Sequence, residues 1–202
     1  MILGVDLSSI QQTVDYSWLV KGGFEFVIIR CGIGSNQQDP NYNANLVAAQ
    51  AAGLKTMAYH VFYPLPNDNP ETIAQWHFTL AKGQPAAADI EYPLPQNWQA
   101  RGMTPIQVRA LTNRYLAEYS RLDGRPMVLY SYPYFLQACD FNPGEEAVNH
   151  PLWIASYTES PLIPHPWLDY AIWQDAGGTK LRLPNGIPID TDQAKDLSLF
   201  GA

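Results

Sequence analysis

Apolar positions along this chain follow two rhythms, and their order of alternation predicts the architecture. Short apolar runs rich in β-branched and aromatic residues read as strands: "MILGVD", "FEFVIIRC", "TMAYHVF", "AAADIE" and "MVLYSY" over the first two thirds. Between them, apolar residues recur every three or four positions. The clearest case is residues 104–122, where Val108, Leu111, Tyr115, Tyr119 and Leu122 form one helical face. Its ends are marked by Thr104 at the N-cap, Pro105 in the first turn, Gln107 as capping-box partner and Gly124 after the last turn. Residues 40–53 and 69–83 are punctuated similarly and stop at Gly53 and Gly83.

After residue 150 the helical rhythm stops. "PLWIASY", "DYAIWQ" and "GIPIDTD" are strand-like runs separated by proline- and glycine-rich turns, which brings the count to eight strands. Strands joined by helices and then strands alone predict an α/β fold, a barrel whose last segments lack helices and whose last strand adjoins the first. An open doubly wound sheet is the competing arrangement. The first strand, however, runs into "GVDLSSIQQ", which lacks the Gly-x-Gly-x-x-Gly turn of that fold. No linker or repeat divides the chain, so residues 1–202 are expected to form a single catalytic β/α-barrel domain.

Composition narrows the partners. With 47% hydrophobic and 15% charged residues the chain is able to fill a core. A net charge of −7 and the lack of any long basic run argue against nucleic acid or a membrane surface as partner. The N-terminus shows neither the basic region nor the apolar stretch of a secretory signal, and no run reaches membrane-spanning length. Cys31 and Cys139 stand in no redox motif and are expected to be buried free thiols. His60, His77, His150 and His165 have no ligand spacing, so neither a metal nor another cofactor is expected, and His60 reads as an interior histidine.

The candidate chemistry lies in the acids. Asp89 and Glu91 are two apart on one predicted strand, so they share a face with Cα atoms about 6.5–7 Å apart. Asp6 closes the first predicted strand and Asp190 and Asp192 close the eighth. All five are expected at C-terminal strand ends, the face that carries active sites in β/α barrels. Singly, each has a bland explanation as a solvated loop residue or, for Asp6, a helix cap. Together they repel, so at least one should keep a proton near neutral pH. One carboxylic acid beside one carboxylate is the equipment for cleaving a glycosidic bond.

"GVDLSSIQ", "FVIIRCGIG", "AAGLKTMAYHVF", "ADIE", "PLWIASY", "IWQ" and "IPIDTD", in this order along nearly the whole chain, resemble the glycoside hydrolase family 25 lysozymes, the Chalaropsis-type N-acetylmuramidases. The resemblance implies an irregular TIM-like barrel of five β/α units followed by three β-strands. It also implies hydrolysis of the β-1,4 bond between N-acetylmuramic acid and N-acetylglucosamine in bacterial peptidoglycan. Carried over by position, Glu91 is expected as catalytic acid, Asp89 as its partner, and Asp6 and Asp190 as the flanking acids, with Asp192 able to exchange places with Asp190. Cys31 stands where small residues such as alanine are usual, and Val61 where phenylalanine is common.

The expected mechanism has Glu91 protonate the leaving oxygen while Asp89 orients the substrate's own N-acetyl group, with direct inversion by an activated water as the other route. Tyr63, Tyr130, Tyr157 and Trp173 are candidates for stacking on sugars, and Gln174 and Asp192 for further substrate contacts; packing beneath the mouth explains each aromatic equally well. Two alternatives remain, a chitinase-like glycosidase and a barrel that binds glycan without cutting it. The chitinase acid ladder is missing, since residue 87 is alanine, and the non-catalytic barrel would have lost an acid. A monomer acting outside the cell on the bacterial wall is expected.

Overall fold

Strands buried on both faces need apolar residues at nearly every position, and the sequence supplies them in blocks joined by capped helices. The computed structural model describes residues 1–91 and 102–201. Its strands are β1 (Ile2–Leu7), β2 (Phe26–Ile33), the two-residue β3 (Gln37–Gln38), β4 (Lys55–Val61), β5 (Ala86–Asp89), β6 (Val128–Ser131), β7 (Leu152–Ala155), β8 (Ile172–Arg182) and β9 (Pro188–Ala194). The helices are α1 (Tyr16–Lys21), α2 (Tyr42–Ala51), α3 (Pro70–Ala81), α4 (Pro105–Asp123) and α5 (Pro133–Cys139). Among the described residues, one α-helix follows each of β1, β2, β4, β5 and β6 before the next barrel strand, whereas β7, β8 and β9 follow one another without a long helix. The expectation of five β/α units and three strands therefore holds.

The sheet order is β1-β9-β8-β7-β6-β5-β4-β2-β3, and β1 also pairs with β2, so eight strands close a barrel and β3 hangs from β2 as a short hairpin. One expectation needs correction. β9 runs antiparallel to both β1 and β8, so Asp190 lies near its N-terminal end and Asp192 farther along. The acids of the last strand reach the mouth from the other direction.

Alternation divides the core in two. Phe26, Ile28, Met57, Tyr59, Val61, Ala87, Val128, Tyr130, Trp153, Ala155, Ile172 and Ala194 pack together inside the barrel, with Phe200 of the C-terminal turn closing it from below. The intervening residues, such as Val27, Ile29, Ala88, Leu129 and Ile154, meet the helices outside. Phe26 and Phe200 touch with ring centroids 4.6 Å apart. Gly4 is required beside them, because a Cβ there would lie 2.2 Å from the Phe26 ring.

α4 begins as predicted, with a full capping box between Thr104 and Gln107 and Gly124 in a left-handed C-cap. His60, on the outer face of β4, stacks on His77 of α3 at 4.9 Å, and both approach the Tyr115 hydroxyl of α4, at 3.4 and 2.7 Å. Burial lowers the proton affinity of both imidazoles, which fits a neutral packing role for His60. Cys31 and Cys139 are free and buried.

Candidate active site

Interior positions at the C-terminal ends of the parallel strands define the mouth of the barrel. β1 delivers Asp6 there, and β9 places Asp190 directly opposite it in register. β5 delivers Asp89 and ends with it, two residues before the predicted run does. The extended path nevertheless continues: Ile90 N–H donates to Tyr130 O at 3.0 Å, Ser131 Oγ donates to Ile90 O at 2.7 Å, and the Ile90 side chain is buried in the outer layer. Glu91 therefore returns to the face of Asp89, where its charge acts on Tyr130 and Tyr132.

The acids share a poorly solvated space and raise one another's proton affinity. Burial and then the Asp190 charge raise Glu91 from the ordinary 4.5 to about 7. Asp190, also raised by burial but holding a hydrogen bond from the Gly178 N–H, reaches about 6. Asp89 is raised by burial, Glu91 and Asp6, with the Arg30 guanidinium opposing. Asp6 is raised by burial and Asp190, and relieved by hydrogen bonds to Gln174 and Asp192. At neutral pH this arrangement holds protons that isolated carboxylates would have lost.

Other predicted residues fall into two groups. Tyr130 and Tyr157 both donate to Gln174 Oε1, at 3.0 and 2.8 Å, and Gln174 Nε2 donates to Asp6 Oδ2 at 2.6 Å. Gln174 is thus a clamp on Asp6, with its carbonyl engaged by two phenols. Tyr157 keeps 60% of its surface exposed at the rim, and Tyr63 is half-buried beyond the end of β4.

Trp173 is not brought to the mouth. As the neighbour of Gln174 on β8 it faces the outer layer, where its indole N–H donates to Ser156 O at 2.6 Å. Nor is Asp192 positioned to touch a sugar: it has 0% exposure and lies below Asp6, in register with Gly4.

Several contributors escaped the sequence reading. Arg30 follows Phe26 and Ile28 on the inward face of β2, just before a bulge, and there it pairs with Asp39 at 2.9 Å and donates to Ser9 Oγ at 3.2 Å. Asp39 also accepts the Ser9 N–H at 3.0 Å, tying the loop after β1 to β2. Tyr59 and Tyr132 complete the ring of phenols around the acids. A hollow of about 520 Å³ around His150, Trp167 and Tyr170 lies at the N-terminal ends of β7 and β8, away from this chemistry. Among the described residues, no group of three His, Cys, Asp or Glu is arranged to hold a metal ion.

A glutamate that holds a proton near neutral pH beside ionisable aspartates, among phenols, is able to deliver a proton to a leaving oxygen and stabilise positive charge on a sugar ring. Comparison with known proteins agrees in kind. The model of the family described as Glycosyl hydrolases family 25 matches residues 5–179. The chain is 25% identical to Lysozyme M1 of Streptomyces globisporus over 203 residues, covering 96% of this chain and 67% of that one. It is 26% identical to an N,O-diacetylmuramidase of Chalaropsis sp. over 192 residues, covering 87% and 88%. In three dimensions it superposes on a family GH25 lysozyme from Aspergillus fumigatus with a TM-score of 0.83 at 26% identity, covering 98% and 97%.

Proposed function

The chain belongs to the glycosyl hydrolases family 25 and is a glycoside hydrolase, and on that premise we propose that it cleaves peptidoglycan at the β-1,4 bond between N-acetylmuramic acid and N-acetylglucosamine, with Glu91 as acid and base. Similarity to proteins named lysozyme and muramidase supports the substrate. The observation that carries the assignment of Glu91 is its place on the inward face beside Asp89, where burial and the Asp190 charge raise its proton affinity to about 7.

In this reading Glu91 protonates the leaving oxygen as the C1–O bond breaks, and the acetamido oxygen of the same sugar closes onto C1, oriented by Asp89. Glu91, now a carboxylate, takes a proton from the water that reopens the intermediate and so regains its acid form. Configuration at C1 is retained. Asp190 acts through its charge on Glu91, Asp6 faces it across β1 and β9, and Tyr157 and Tyr63 offer ring faces to the glycan. A non-catalytic barrel is not favoured, because every acid of the set is present.

Glu91→Gln keeps the shape of the side chain and removes the proton. It should lower the release of reducing ends from purified peptidoglycan by about 10²- to 10⁴-fold. Clearing of wall suspensions at the wild-type rate would overturn the assignment, and NMR showing an inverted anomer as first product would overturn the retaining route.

A further inference from the structure

Asp192 has no task in the reaction as described, yet it is the most deeply placed of the acids. It lies one layer below Asp6: β9 pairs Asp190 with Asp6 and Asp192 with Gly4, and β8 pairs Gln174 with Asp192. At this level Gly4 carries no side chain and the Phe26 ring covers its Cα, so the layer around the carboxyl is closed to solvent. The Trp153 indole N–H donates to Asp192 Oδ1 at 2.8 Å, whereas Oδ2 is buried and meets no donor among the described residues. The group within hydrogen-bonding reach is the carboxyl of Asp6.

Two carboxylates are acceptors only and cannot bond to each other. A single proton between them converts the contact into a short, charge-assisted O–H···O⁻ bond and supplies the missing partner of Asp192 Oδ2. The surroundings decide which side holds it. Asp192 has one N–H donor and no solvent, while Asp6 has the Gln174 amide and a 7% opening toward the mouth. The negative charge is better accommodated on Asp6.

The geometry points to Asp192 as a neutral carboxylic acid throughout the working pH range, donating a hydrogen bond that keeps Asp6 ionised and aimed at the mouth. It is a positioning residue, and the inference rests on the reading that the Asp6 carboxylate serves the reaction. The titratable groups facing it are Asp6 from β1, Asp190 from its own strand and, at the rim, Tyr157; Trp153 of β7 and Gln174 of β8 are neutral neighbours. Burial and the charges of Asp6 and Asp190 all oppose its ionisation.

Asp192→Asn tests this, because its amide donates to Asp6 while its carbonyl accepts from Trp153. With soluble peptidoglycan fragments, kcat/KM should stay within about threefold of wild type across the pH profile. Asp192→Leu keeps the branched shape, at a larger volume, but removes the donor. Its acid limb should move up by about one pH unit, since Asp6 becomes harder to ionise.

Loss of activity in Asp192→Asn comparable to that of Asp192→Leu, or an unmoved acid limb in Asp192→Leu, overturns the inference. Should Asp192→Leu fail to fold, the infrared difference between wild type and Asp192→Asn at pH 8 decides it. A protonated-carboxyl band in that difference supports the inference, and its absence overturns it. Asp6→Asn distinguishes the two levels: full activity in that variant would remove the role of Asp6, whatever Asp192 does.

Discussion

Replacing Asp190 by asparagine removes one charge from the mouth with almost no change in shape. Glu91 stands at about 7 against an ordinary 4.5, with burial the larger cause and the Asp190 charge the second. Less than half of that rise belongs to Asp190, so the substitution should lower the Glu91 value by about one unit, equivalent to about 1.4 kcal/mol. The direction follows from the charge: without the neighbouring anion the proton on Glu91 is held less tightly, and activity is lost at a lower pH. Because Asp190 itself titrates near 6, its charge is present in the range where Glu91 gives up its proton. The assay is kcat/KM against pH on a soluble peptidoglycan fragment, whose alkaline limb reports the acid of the free enzyme. An alkaline limb that stays in place, or moves upward, would refute the coupling between the two acids.

Stability should also depend on the mouth. A carboxyl whose value is raised in the folded state contributes stability below its unfolded value and loses it as pH rises through the folded one. For Glu91 that window runs from about 4.5 to about 7, so Glu91→Gln should be more stable than wild type at pH 8 by about 2 kcal/mol after allowance for partial exposure, and equal melting temperatures at that pH would contradict this. Gly4→Ala should destabilise the barrel by about 1–3 kcal/mol or more, since the new methyl meets the Phe26 ring, with urea unfolding as the check. Trp173→Phe should lower the melting temperature through loss of the bond to Ser156 O while leaving kcat within about twofold, whereas a large fall in kcat would return Trp173 to the substrate side. Gln174→Leu should cut kcat/KM by about 10- to 100-fold, because Asp6 loses its donor and Tyr130 and Tyr157 lose their shared acceptor.

Much of the barrel was legible because strands buried on both faces leave short apolar blocks that capped helices separate cleanly. Thr104 and Gln107 mark the start of α4 in the sequence as plainly as in the structure. The closure of the last strand on the first was also legible, but its direction was not, since "GIPIDTD" reads alike either way and only its pairing with Asp6 and Gln174 reveals the antiparallel run. Arg30 follows Phe26 and Ile28 on the inward face of β2, so its direction was legible, whereas its partner Asp39, just past the short β2–β3 hairpin, was not. For Trp173 the choice between stacking on sugar and packing was legible in part: adjacent residues on a strand face opposite sides, so Trp173 and Gln174 could not both face the mouth. The surroundings of Asp192, with Gly4 opposite in register and the Trp153 indole as donor, come from residues far away in sequence that only the closed sheet brings beside it.

The side chains packed through the barrel, closed off below by Phe200 against Phe26, make the enzyme a cup and not a pipe. Substrate, water, product and any inhibitor must all use the same opening, so occupancy of the rim by a released glycan end competes directly with the next turnover. Attachment to a surface or a carrier through the sealed end would leave that traffic undisturbed.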